Sequence, residues 1–174
     1  ENNPYRINVR GLSDNGDNGF CDSVDLGGRR MIGENVEITN GTFTTSNYPT
    51  FINRAYSYTQ QIYDASEMNG PATINSISVE VATANMVAQA RTLNIYMGHT
   101  GRSTFESTSD NVSMDSLRLV YTGQFTFVPG WNTINFDSVF IYNATDNLVL
   151  AVDDNTGSFG QSCTFRAQNN ATSK

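Results

Sequence analysis

The chain has 174 residues and a net charge of -7, from 17 acidic against 10 basic side chains. That length suits one domain with a full core and is short for two ordinary ones, and the charge opposes nucleic-acid binding because each phosphate contact would work against the protein's own field. No apolar run approaches the roughly 18 to 20 residues of a membrane helix, and "ENNPYRINVR" lacks the apolar core of a signal peptide, so the expectation is an exported, soluble chain whose leader has been removed.

Abundant Asn, Thr, Ser and Tyr suit strands with polar outer faces rather than solvent-facing helices. In "YRINVRG" Tyr5, Ile7 and Val9 alternate with polar residues, which predicts a half-buried strand. "SDNGDNG" carries Asn-Gly pairs suited to a tight turn, with "FCDSVDLGG" as a returning strand. A calcium-loop reading of this turn fails, because Gly16 takes a ligand position and no acid closes the loop. The glycine-flanked "GGRRMIGE" reads as a linker, so residues 1–33 form a hairpin or arm and residues 34–174 the main domain.

Strands then recur at short intervals: "NVEITNGTFTT", "AYSYTQQIY", "TINSISVEVAT" with Ile77, Val79 and Val81 inward, and "TLNIYMG" with Leu93, Ile95 and Met97 inward. After these come "LRLVYTGQFTFV" with Leu117, Leu119 and Tyr121 inward, "TINFDSVFIY", and "NLVLAVDD" with Leu148, Leu150 and Val152 on one face. "DASEMNG" can hold one helical turn before Gly70-Pro71 stops it. Turn signals at "NGPA" and "PGWN" complete the pattern of an all-β, antiparallel sandwich.

The chemistry-bearing residues are few. The single histidine, His99, would need a nucleophile and an orienting acid to act as a base, and its loop "MGHTGRSTF" supplies neither; Arg102, Ser103 and Thr104 read as exposed loop residues. Cys21 and Cys163 are either one disulfide or two buried thiols. In "VDDNTGS", Asp153, Asp154 and Asn155 offer hard oxygen ligands for a structural calcium ion, with Glu67 as a further donor; the same residues also make ordinary turn chemistry. Adjacent strand residues face opposite ways, so Asp153 and Asp154 do not form a hydrolytic pair together, and a hydrolase would have to combine Asp153 with Glu67. Tyr48, Phe51, Tyr142 and Phe159 fall in predicted loops, where ring faces can stack on sugars. Trp131 begins a strand and is expected in the core, and Tyr56, Tyr58 and Tyr63 mark a tyrosine-rich strand.

Four blocks, "YSYTQQIYDASEMNGPATINSISVEV", "RTLNIYMGHTGRSTF", "GWNTINFDSVFIYNATDNLVLAVDDNTGS" and "SCTFRA", together resemble the adhesin-type β-sandwich domain of secreted, multidomain Bacteroidetes surface proteins, related to the cleaved adhesin domains of gingipains. The resemblance spans roughly residues 35 to 170. It implies a jelly-roll-like sandwich on the secreted or cell-surface side, with calcium as a structural ion and a non-catalytic role in binding glycans or proteins. Asp22, Asp115 and Asp137 open Asp-Ser-apolar triplets that look like the O-glycosylation sites of such exported proteins, at Ser23, Ser116 and Ser138; N-x-Ser/Thr sequons stand at Asn40, Asn111, Asn143 and Asn170. Domains of this type carry another strand beyond "SCTFRAQNN", so the sandwich is expected to lack its last strand. An open sheet edge would suit self-association, which makes a filament subunit completed by strand exchange the alternative function.

Overall fold

The computed structural model describes residues 5–10, 35–37, 42–68 and 70–169. Its elements in chain order are β1 (Tyr5–Arg10), β2 (Asn35–Glu37), β3 (Thr42–Ser46), β4 (Ser57–Tyr63), β5 (Ala72–Val81), β6 (Gln89–Thr100), β7 (Arg118–Phe127), β8 (Gly130–Tyr142), β9 (Asn147–Asp154) and β10 (Phe165–Asn169). Two short 3-10 turns cover Ala65–Glu67 and Met114–Ser116. The protein is thus all-β, as the alternation predicted.

One sheet runs β4-β9-β6-β7. In the other, β5 pairs with β8 along one edge and with β1 along the opposite edge, and β2 flanks β1. β10 touches β5 only at Phe165↔Val81 and then pairs with β3. Every pairing among the described residues is antiparallel. The arm predicted over residues 1–33 therefore contributes β1 to the sheet, while residues 11–34 lie outside the described part.

The core lies between the sheets. Leu93, Ile95 and Met97 of β6 and Leu148, Leu150 and Val152 of β9 face Ile74, Ile77, Val79 and Val81 of β5, closed by Phe127 and Phe165 edge to face at 5.4 Å. Three inward assignments fail: Leu117 precedes β7 and packs against Val149 on the outer face, and the other two, Leu119 and Trp131, each fail for a local reason. In β7 the register slips between Tyr121, opposite Ile95, and Leu119, opposite Tyr96, so that Val120 is the extra residue. This bulge turns Val120 into the core and leaves Leu119 43 % exposed. Trp131 pairs with Glu80 on the outer face, where it is 38 % exposed, because the inward positions of β8 fall to Asn132 and Ile134. Val149, which faces away from this core, is buried anyway under a second cluster of Ile62 and Val112, with Phe105 and Leu117 packed against it.

Candidate functional site

At one end of the sandwich the alternation of β6 and β9 runs one residue past the apolar core. Arg91 is in phase with Leu93 and Ile95, and Asp154 with Leu150 and Val152, so both charges are carried inward, 1 % and 0 % exposed. They meet: Arg91 Nε donates to Asp154 Oδ2 at 2.8 Å. Thr50 Oγ1 donates to the same oxygen at 2.9 Å, and Thr156 fills Oδ1 through its N–H at 3.1 Å and its hydroxyl at 2.6 Å. The other guanidinium nitrogens donate to the carbonyls of Ser158 (2.9 Å) and Arg54 (2.5 Å). A buried ion pair survives only with its remaining polar atoms satisfied, and both partners here reach the two loops that close this end, residues 47–56 and 155–164.

The loops also bond each other directly. Gly157 N–H donates to Ala55 O at 2.8 Å and Gly160 N–H to Ile52 O at 2.9 Å. The second contact needs glycine, since a Cβ at Gly160 would stand 2.7 Å from that carbonyl and 2.8 Å from Ile52 Cγ2. Gly157 has φ +76°, and a Cβ there would lie 3.2 Å from the Tyr56 hydroxyl, which places Tyr56 over this turn. Aromatic side chains crown the pair of loops: Tyr48 is exposed and edge-on to Phe51, with ring centroids 5.6 Å apart, Tyr56 is exposed, and Phe159 is 75 % exposed. Val87 and Val128, in the loops that enter β6 and β8, add exposed apolar surface at the same end.

Three of the four predicted ligand aromatics, Tyr48, Phe51 and Phe159, are therefore brought to one end. The fourth is a correction: Tyr142 belongs to β8, is 1 % exposed, and donates its hydroxyl to Asp146 O at 2.6 Å. The calcium set is also corrected. Asp154 turns inward and has both oxygens occupied, whereas Asp153 turns outward and accepts from the Asn155 amide at 2.6 Å, a contact made by a donor nitrogen rather than a ligand oxygen. Glu67 is not near them. It caps the 3-10 turn, accepting from Asp64 N–H at 2.7 Å beyond the Tyr63↔Leu148 pair, five strand positions and about 17 Å from Tyr58↔Asp153. That separation exceeds the span of a glycosidase carboxyl pair, so Asp153 and Glu67 form neither a metal cage nor a hydrolytic pair. Among the described residues no group of three or more His, Cys, Asp or Glu side chains is gathered for a metal.

His99 stacks on Tyr142 at 5.7 Å and accepts the Asn143 N–H on Nε2 at 3.1 Å, a structural role. Cys163 is buried, and burial pushes its thiol up to about 11; its candidate partner Cys21 lies outside the described residues. Ser116 is exposed on its 3-10 turn and Ser138 half-buried in β8, while Ser23 lies outside the described part. Arg91 and Tyr56 were missed as contributors. The available signal for Arg91 was a cation in phase with the apolar face of "RTLNIYMG".

In comparisons with known proteins, no family model, curated protein or solved structure matches the chain.

Proposed function

We propose that the protein is a secreted, non-catalytic surface-adhesion domain that recognises glycans or proteins through this aromatic end. The observation that carries the reading is the exposure of Tyr48, Tyr56 and Phe159 on two loops that a buried Arg91–Asp154 pair holds together. Large rings left in water on a preorganised frame suit stacking on sugar C–H faces or insertion into a protein surface, because little ordering entropy remains to be lost. The four-block resemblance to adhesin-type domains supports the same class. The test is binding of the chain to a glycan array and to immobilised mucin, compared with Tyr48→Ser/Tyr56→Ser/Phe159→Ser. A loss of about tenfold or more with unchanged circular dichroism is expected; unchanged binding by the variant, or no binding by the parent, overturns the reading.

A second reading, a filament subunit completed by strand exchange, draws on β10, which leaves β5 after a single residue pair, and on β8, which among the described residues pairs only with β5. Concentration-dependent growth in light scattering would favour it, and a monodisperse monomer at high concentration would end it.

A further inference from the structure

The outer face of the β4-β9-β6-β7 sheet carries a cross-strand row fixed by register: Tyr58 opposite Asp153, Asp153 opposite Asn94, and Asn94 opposite Thr122. The next row holds Gln60, Ala151, Tyr96 and Leu119. Beyond it the face is closed, since Ile62 and Val149 lie under Phe105, Val112 and Leu117. The open part is therefore a shelf with one built wall. Gln60 pins that wall, donating to Val112 O at 2.9 Å and accepting from Val112 N–H at 2.8 Å.

The shelf is polar, aromatic and prearranged. Tyr58 is partly exposed, its hydroxyl receiving the Gln60 amide at 2.6 Å and donating to Met114 Sδ at 2.8 Å. Burial pushes the Tyr58 phenol up, the Gln60 bond pulls it down, and the Asp153 carboxylate and Tyr96 phenol raise it further, so these groups share one neighbourhood. Asn94 is oriented by Thr122, whose hydroxyl donates to Asn94 Oδ1 at 2.7 Å, and Asp153 by Asn155. Asp153 Oδ1, the Asn94 amide nitrogen and the Tyr96 hydroxyl keep hydrogen-bonding capacity that no described residue uses. They offer an acceptor, a donor and a group that is both, on strands spaced about 4.8 Å apart.

We propose that this shelf is a second binding surface, separate from the aromatic end, for an uncharged oligosaccharide lying across the strands, with sugar rings on Tyr58 and Tyr96 and hydroxyls on Asp153 and Asn94. Charge selects the ligand class. The two rows contain one carboxylate and no cation, Asp137 stands beside them accepting the Thr122 N–H at 2.9 Å, and the whole chain is at -7, so uronic and sialic acids are repelled. Composition argues against a protein partner, whose footprint needs an apolar centre; the exposed aliphatic of these rows, Leu119, sits on the β7 rim.

The test is amide-resolved NMR titration of the full chain with gluco-, manno-, galacto- and N-acetylglucosamine trisaccharides, and with trigalacturonate. One neutral trisaccharide is expected to shift the amides of residues 58, 94–96, 153 and 154. Tyr58→Ala and Tyr96→Ala should each weaken it about tenfold with folding intact, and Tyr56→Ser/Phe159→Ser should leave it unchanged. Asp153→Asn should improve trigalacturonate binding. The proposal is overturned by shifts confined to residues 47–56 and 155–161, by trigalacturonate binding as tightly as the neutral sugars, or by no neutral trisaccharide binding at millimolar concentration. Because the aromatic-end variant is scored separately, failure here leaves the adhesion reading standing, and failure there leaves the shelf.

Discussion

The two ends of the sandwich hold their loops by opposite means. At the aromatic end the fixing groups are inside: Arg91 and Asp154 take up the polar atoms of loops 47–56 and 155–164 from below, and the rings of Tyr48, Tyr56 and Phe159 remain in water. At the other end the fixing groups are on the surface and are used locally. Asn143 Oδ1 accepts the N–H groups of Thr145 and Asp146 while its amide donates to Asp146 Oδ2 at 2.7 Å. Asn147 accepts Ala65 N–H at 2.8 Å and donates to Arg102 O at 3.0 Å. Here the rings point the other way, with Tyr142 buried and stacked on His99. A loop fixed from within keeps its surface side chains for a partner, whereas a loop fixed by its own surface side chains has already engaged them. Asn143 is a sequon residue on the second kind of loop, with its side-chain amide already bonded.

The comparison breaks first if the internal brace is dispensable. Arg91→Ala or Asp154→Ala strands a buried charge and is expected to cost about 3–5 kcal/mol, read as a fall in the chemical-denaturation midpoint, together with loss of ligand binding at the aromatic end. A midpoint within error of the parent would mean the pair does not hold the loops. Gly160→Ala drives a methyl against the Ile52 carbonyl and should cost about 1–3 kcal/mol at the same end. At the polar end Asn147→Ala removes two hydrogen bonds at once, and a smaller loss of about 1–2 kcal/mol is expected, with binding at the aromatic end retained.

Acid sharpens the contrast. The Arg102 guanidinium, helped by Glu106 N–H, holds the Asp110 carboxyl below the usual carboxylate range, and its ion pair folds the loop between β6 and β7. A depressed carboxyl stabilises the fold above its unfolded value, near 3.9, and that contribution fades as pH falls through the lower folded value. Protection factors in residues 102–112, exchange rates taken relative to the unstructured chain at the same pH, should therefore fall on acidification below about pH 4, ahead of those in β6 and β9, and Asp110→Asn should show the lowered protection already at neutral pH. The smallest effect is expected from Tyr48→Ser/Tyr56→Ser/Phe159→Ser, within about 0.5 kcal/mol per site in stability despite the lost binding. A large destabilisation would turn these rings from ligand contacts into packing.

The amino-acid order by itself determined the strands and most of the core, because period-2 alternation in segments such as Leu93, Ile95, Met97 and Leu148, Leu150, Val152 depends on local geometry alone. It also placed Tyr48, Phe51 and Phe159 in loops. The tertiary structure decided what no neighbouring residue announces. The bulge opposite Ile95 and Tyr96 turned Leu119 outward, packing beside Phe140 in the inward phase of β8 buried Tyr142, and the pairing of Arg91 with Asp154, 63 residues apart, took a supposed metal ligand into the interior. Burial of a charge is settled by what meets it across the strands, and cross-strand neighbours are distant in sequence.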